Sequence, residues 1–235
     1  MKKSIPSTMA NLAIIPARGG SKRIPKKNIK DFLGKPIIAY SIEEAIKSDL
    51  FDEVMVSTDD IDIATVARSY GASVPFLRGK ENADDFATTL DVLKEVERNY
   101  LELNKTFDLI CCLYPTAPFI TSEKLSEGRS LLINESFDVV FPVVAFSYPI
   151  WRGVEITAGK TQMVWPEHIN HRSQDLRPVY HDAGQWYWYN PKNVGKSLFT
   201  DNTGSIVLKE EEVQDIDTYS DWVLAEMKYN MRHEK

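Results

Sequence analysis

Short apolar runs rich in aliphatic and β-branched residues alternate with longer amphipathic segments along most of this chain, and that alternation limits the folds open to it. The runs Leu12–Ile15, Val54–Ser57, Leu109–Leu113, Val139–Val144, Gln185–Tyr189 and Ser205–Leu208 read as strands. Pro36–Lys47, Asp60–Tyr70, Leu90–Leu103, Ser122–Ile133 and Thr218–Asn230 read as helices. Thr88 and Asp91, and Thr218 and Asp221, have the spacing of helix capping boxes, and Gly71 stops the second helix. Strands that are apolar at consecutive positions are covered on both faces, so the pattern predicts an α/β fold with a mostly parallel, doubly wound sheet. Sheets of this kind bind ligands beyond the carboxyl ends of their strands.

At the carboxyl end of the first predicted strand stands the run Ile15-Pro16-Ala17-Arg18-Gly19-Gly20-Ser21-Lys22-Arg23-Ile24-Pro25-Lys26-Lys27-Asn28. It holds two adjacent glycines and several cations in a chain whose formal net charge is -6. Glycine lets backbone N–H groups come close to an anion, and Lys and Arg neutralise it, so this loop predicts a phosphate cradle. The glycine spacing is neither that of a Walker A loop nor Gly-x-Gly-x-x-Gly.

The acidic balance argues against a general nucleic-acid surface, and no apolar run reaches the ~20 residues that span a bilayer. The basic start lacks the apolar stretch of a secretory signal, so the cytoplasm is the expected location. Cys111 and Cys112 are neighbours in a strand, point to opposite faces and are expected to be small buried hydrophobes. The 235 residues are expected to form a single domain over residues 1–235. Residues 147–180 break the alternation with Trp151, Trp165, His168, His171, Arg172 and Arg177, and read as an insertion that covers the site or forms a subunit contact.

Ile15 to Asn28 closely resembles the nucleotide-binding signature of the CMP-sugar synthetases, the cytidylyltransferases that activate sialic-acid-like nonulosonic acids. Phe51 to Asp60, Arg78 with Asp84 to Thr89, Leu113 to Pro118, and Asp215-Ile216-Asp217-Thr218 resemble further family motifs in the same order. The resemblance implies a Rossmann-like nucleotidyltransferase fold and a homodimer formed through the insertion. It implies that Arg18, Gly19, Gly20, Ser21, Lys22 and Lys27 hold the triphosphate of CTP, with Lys27 and Arg18 as the catalytic cations. Asn28 would reach the cytosine; Arg78, Ala87 and Thr89 would complete the base pocket; Asp215 and Asp217 would hold Mg²⁺. Asp217 also precedes a helix start, where an acidic residue is favourable anyway, and Asp59 and Asp60 read as caps.

The co-substrate would be a nine-carbon 2-keto sugar acid. Tyr114 stands where sialic-acid enzymes carry Gln, and His181-Asp182-Ala183-Gly184-Gln185-Trp186-Tyr187-Trp188 resembles the pseudaminic acid branch. Tyr114, Arg172, His181 and Gln185 are the expected sugar-binding residues, with Trp186 and Trp188 offering apolar faces or serving as core. The expected activity is activation of pseudaminic acid with CTP. Legionaminic or N-acetylneuraminic acid is the alternative sugar, and a nucleotide-sugar-dependent glycosyltransferase using Asp215 and Asp217 is the alternative class.

Overall fold

The computed structural model describes residues 9–83 and 87–233. Seven strands form the main sheet: β1 (Asn11–Pro16), β4 (Glu53–Ser57), β5 (Leu109–Leu113), β6 (Val139–Ala145), β9 (Tyr180–Asp182), β10 (Trp186–Tyr189) and β11 (Thr203–Leu208). The order across it is β11-β6-β10-β5-β1-β4, with β9 pairing on β6. β4, β1 and β5 are parallel, as are β6 and β11, whereas β10 runs antiparallel to both of its neighbours. The sheet is therefore mixed at its middle. Its direction reverses at β10 because β10 follows the short return strand β9, itself antiparallel to β6. The small pair β2 (Asp31–Phe32) and β3 (Lys35–Pro36) follows the first loop.

Among the described residues there are five α-helices: α1 (Ile37–Lys47), α2 (Ile61–Ser69), α3 (Thr89–Glu102) and α4 (Ser122–Asn134) pack in the layers about the sheet, and α5 (Tyr219–His233) packs in a cluster beside it. Strand alternation sorts side chains between the two layers. Ala13, Ile15, Val56, Cys111 and Trp188 pack with α1, α2 and α4, while Leu12, Ile14, Met55, Cys112 and Tyr187 pack with α3. Cys111 and Cys112 thus lie in opposite layers, fully buried and unbridged. A third cluster joins Ile24 of the first loop to Phe32, Tyr40, Ile216 and Trp222. It fastens the first loop to the segment that leads into α5.

Trp186 and Trp188 lie beneath α4 with no exposed surface, and the Trp188 indole N–H donates to the Leu125 carbonyl at 3.0 Å. They are core and present no face to a ligand. Helix α4 reaches them only because residue 128 is glycine: a Cβ there would fall 2.4 Å from Trp186 Cη2. Gly128→Ala is expected to destabilise the fold by about 1–3 kcal/mol despite the helix propensity of alanine, as overpacking does. Thermal unfolding with catalysis assayed in parallel checks this; an unchanged or raised Tm would refute it.

Residues 147–179 lie outside the strands of the main sheet, which the chain rejoins at Tyr180. The hairpin β7 (Val154–Thr157) and β8 (Lys160–Met163) pairs with itself. Trp151 packs against Trp165 and His168, under the Arg177 guanidinium 4.2 Å from its ring. Val154, Ile156, Val164 and Ile169 are exposed on this segment. Among the described residues, no helix is long and apolar enough to cross a membrane.

Candidate active site

The carboxyl ends of β1, β4 and β5 open toward one edge, and β10 begins there because Trp186 pairs with Leu113. Two cavities lie at that edge. The first, about 450 Å³, is lined by Arg18, Ser21, Lys22, Arg23, Lys27 and Asn28 of the first loop, by Pro115 and Thr116, and by Asp217. The second, about 500 Å³, is lined by Tyr114, Thr116, His181, Asp182, Gly184, Tyr187, Glu210, Gln214, Asp215 and Lys228, among others. Thr116 belongs to both, and the two aspartates divide between them.

The first loop is shaped by its glycine and its acidic neighbours. A Cβ on Gly19 would lie 2.7 Å from Asp60 Oδ2, so only glycine lets the loop pass the start of α2. Asp60 caps that helix as expected, accepting from the Asp62 and Ile63 amides. Asp59 is not a cap; it accepts the Gly19 N–H at 2.9 Å and so fixes the cradle. The Asn28 amide donates to the Arg18 carbonyl at 2.9 Å, which leaves its oxygen as an acceptor at the cavity wall. Gly20 is exposed, with open space about it, and Lys22 lines the cavity.

Arg78 is buried behind the cradle, where it donates to the Ser57 hydroxyl at 3.1 Å and the Ser57 carbonyl at 2.5 Å. Burial pushes the Arg78 guanidinium down from its ordinary value, and Asp59 and Glu95 oppose that shift. Thr89 meets the Tyr114 hydroxyl at 3.3 Å, and Ala87 stands just before α3. Arg78, Ala87 and Thr89 lie outside the described linings of both cavities. Asp84, Asp85 and Phe86 of the third motif lie outside the described residues.

Ile216 is fully buried in the third cluster, which leaves Asp215 and Asp217 on its other side. Asp217 is not the cap of α5. Asp221 takes that duty, accepting from the Asp217 and Thr218 amides and the Thr218 hydroxyl, while Thr218 Oγ1 accepts the Asp221 N–H. Asp217 instead meets Arg23 at 2.9 Å and Lys27 at 3.5 Å, and Lys27 Nζ also donates to the Ile216 carbonyl at 2.6 Å. Burial, and then the charge of Asp217, push the Asp215 carboxyl above its ordinary range. Two carboxylates two residues apart, one of them lining a cation-lined cavity, suit Mg²⁺, which takes one or two carboxylates and completes its shell with water and phosphate oxygens. The described residues contain no cluster of three or more ligating side chains that would suit a softer or more fully caged metal.

The second cavity has an aromatic and acidic wall. The Tyr187 hydroxyl donates to Asp182 Oδ2, and Asp182 Oδ1 accepts the Gly184 N–H at 2.7 Å. Gly184 adopts φ +62, a left-handed conformation that glycine makes without strain. Burial, Tyr114 and Asp182 hold the Tyr187 hydroxyl well above its ordinary pKa, so it remains a donor. Tyr114 and His181 line this cavity, and Tyr187 and Asp182 join them. Strand alternation is the sequence signal for Tyr187, since it must face away from Trp186 and Trp188. Gln185 does not reach the cavity: it is 3% exposed, and its amide donates to the Glu212 carbonyl at 2.6 Å. Arg172 stands exposed on the insertion, before a short turn at Ser173–Asp175, and lines neither cavity.

A family model described as cytidylyltransferase matches residues 12–188. The chain belongs to the cytidylyltransferase family. This cytidylyltransferase is 42% identical over 229 residues to a pseudaminic acid cytidylyltransferase of Campylobacter jejuni, with 96% of this chain and 99% of the relative covered. It is 34% identical over 238 residues to the CMP-N,N'-diacetyllegionaminic acid synthase of Legionella pneumophila, again covering 96% and 99%. Its fold matches the solved structure of CMP:2-keto-3-deoxy-manno-octonic acid synthetase complexed with CTP at a TM-score of 0.67 and 19% identity, over 96% of this chain and all of that one. The cytidylyltransferase match spans β1 to β10, which includes the cationic loop and most of the aromatic wall.

Proposed function

We propose that the protein transfers the cytidylyl group of CTP to pseudaminic acid, forming CMP-pseudaminic acid and releasing pyrophosphate. One observation carries this reading: a cation-lined cavity and an aromatic-acidic cavity meet at Thr116, with Asp217 on one and Asp215 on the other. That is the arrangement an in-line transfer from a triphosphate to a sugar hydroxyl requires. The 42% identity to a pseudaminic acid cytidylyltransferase, against 34% to the legionaminic synthase, supports the choice of sugar.

The reaction needs positioning and charge neutralisation more than covalent catalysis. Arg18, Ser21, Lys22 and Lys27 would hold the triphosphate, Lys27 steadying the α-phosphate, while Asn28 and the region of Arg78, Ala87 and Thr89 receive the base. The anomeric hydroxyl of the sugar acid gives up its proton to solvent as its oxygen bonds to the α-phosphorus, and the bond from that phosphorus to the opposite bridging oxygen breaks to release pyrophosphate. Tyr114 and Tyr187 give the sugar an apolar floor, and His181 and Asp182 supply polar contacts. Mg²⁺, the proposed cofactor, would be held by Asp215 and Asp217 and would neutralise phosphate charge. The exposed apolar residues of the 147–180 segment support a homodimer through that segment, in which Arg172 would serve as a carboxylate contact across or within subunits. CTP is a cytoplasmic nucleotide, so we place the reaction in the cytoplasm.

The test is pyrophosphate release with CTP, Mg²⁺ and a panel of nonulosonic acids. Turnover is expected with pseudaminic acid; turnover of N-acetylneuraminic or legionaminic acid with none of pseudaminic acid would contradict the sugar assignment. Consumption of a nucleotide sugar without CTP would contradict the reaction class.

A further inference from the structure

The stretch after β11 forms one wall of the second cavity through Glu210, Val213 and Gln214, and ends on Asp215. Little of its own backbone holds it: the Glu212 N–H reaches Lys209 O at 2.9 Å, and the Val213 N–H reaches Glu210 O at 3.4 Å. Ser147 and Arg232 pair with the side chains of Glu210 and Glu212, and among the described residues Lys228 and Gln185 grip the backbone carbonyls from distant elements. Lys228 of α5, whose side chain is 16% exposed, donates from Nζ to the Glu210 carbonyl at 3.0 Å and the Val213 carbonyl at 2.8 Å. From the other side, the buried Gln185 donates to the Glu212 carbonyl at 2.6 Å. Carbonyls 210, 212 and 213, which lie five, three and two residues before Asp215, are thus pinned, and the proposed transfer uses neither gripping side chain.

We propose that Lys228 and Gln185 are positioning residues that set Asp215 at the seam between the two cavities, and thereby set the divalent-cation affinity of the site. The inference rests on reading Asp215 and Asp217 as metal carboxylates. Mg²⁺ demands near-ideal octahedral geometry, so a ligand on a loosely held turn would bind it poorly. Groups that orient a ligand typically govern metal affinity about 10–100-fold. The sign of the effect separates positioning from simple electrostatics: removing the positive charge of Lys228, which lines the same cavity as Asp215, would by itself tighten cation binding, whereas loss of positioning weakens it.

The experiment is an electron paramagnetic resonance titration of Mn²⁺ into the protein with CTP and no sugar acid, comparing wild type with Lys228→Met, Gln185→Met and Asp215→Asn. Lys228→Met keeps most of the apolar stem on a partly exposed helix face, so it keeps the proposal testable should Gln185→Met misfold. Lys228→Met is expected to weaken Mn²⁺ about 10-fold or more, and the Mg²⁺ dependence of turnover is expected to shift to higher concentration. Unchanged or tighter Mn²⁺ binding in Lys228→Met, with weakened binding in Asp215→Asn, would overturn the positioning role and leave the metal reading intact. Unchanged binding in Asp215→Asn would overturn both.

Discussion

Lys27→Ala is expected to lower kcat for pyrophosphate release about 10²–10³-fold, the usual loss when one preorganised charge contact is removed from a transferring group. Lys27 is prepared for that task before substrate arrives: its ammonium is held by the Ile216 carbonyl at 2.6 Å and lies 3.5 Å from Asp217. It therefore costs little reorganisation to place the charge beside an α-phosphate. Lys27→Arg is expected to recover only part of the loss, because a planar fork cannot stand in for a compact ammonium within this contact set. Steady-state kinetics at saturating CTP and sugar acid measure the effect, with thermal unfolding in parallel. Turnover within a few-fold of wild type in Lys27→Ala would remove Lys27 from the catalytic role.

Asp217→Asn is expected to give the second large loss, on the order of 10² in kcat, with a distinctive accompaniment. In the structure Asp217 neutralises Arg23 and Lys27. Removing its charge frees both cations for the triphosphate, so CTP affinity is expected to hold or rise while turnover falls and the Mg²⁺ requirement climbs. A spectroscopic signature accompanies the kinetics. Burial and the charge of Asp217 hold the Asp215 carboxyl above its ordinary range. The variant removes the second cause, and Asp215 is expected to titrate at lower pH. Carboxyl ¹³C NMR follows that shift directly. A variant in which CTP affinity collapses along with kcat would show that Asp217 organises the nucleotide cavity rather than a metal.

The alternation of apolar runs and helical segments is enough to place the strands and helices of the main layers, because β5, β6 and β10 are buried on both faces and α2, α3 and α4 carry side-chain caps. Thr88 with Asp91, and Thr218 with Asp221, form the reciprocal caps that their spacing implies. The direction of β10 was not legible, since Trp186 to Tyr189 is apolar at every position and reads alike in either direction. The first loop announces itself by its own glycines and cations, and the structure gathers Arg18, Ser21, Lys22, Lys27 and Asn28 around one cavity.

The second cavity was harder to read. Gln185 suggested a polar sugar contact, yet its amide is spent on the Glu212 carbonyl, a partner 27 residues away that no local pattern announces. Trp186 and Trp188 drew attention by their size, whereas Tyr187 between them is the residue that faces the cavity. Lys228 carried no signal in the sequence, since a lysine on an amphipathic C-terminal helix normally faces solvent; only the fold turns it toward the Glu210–Asp215 stretch.

The proposed reaction places the two halves of one product in the two cavities that meet at Thr116. A crystal structure with CMP-pseudaminic acid bound tests it most directly. The phosphate is expected beside Lys27 and Arg18, the cytosine toward Asn28, and the sugar against Tyr114, Tyr187 and Asp182. A sugar lying elsewhere, with the Tyr114–Asp182 cavity empty, would contradict it.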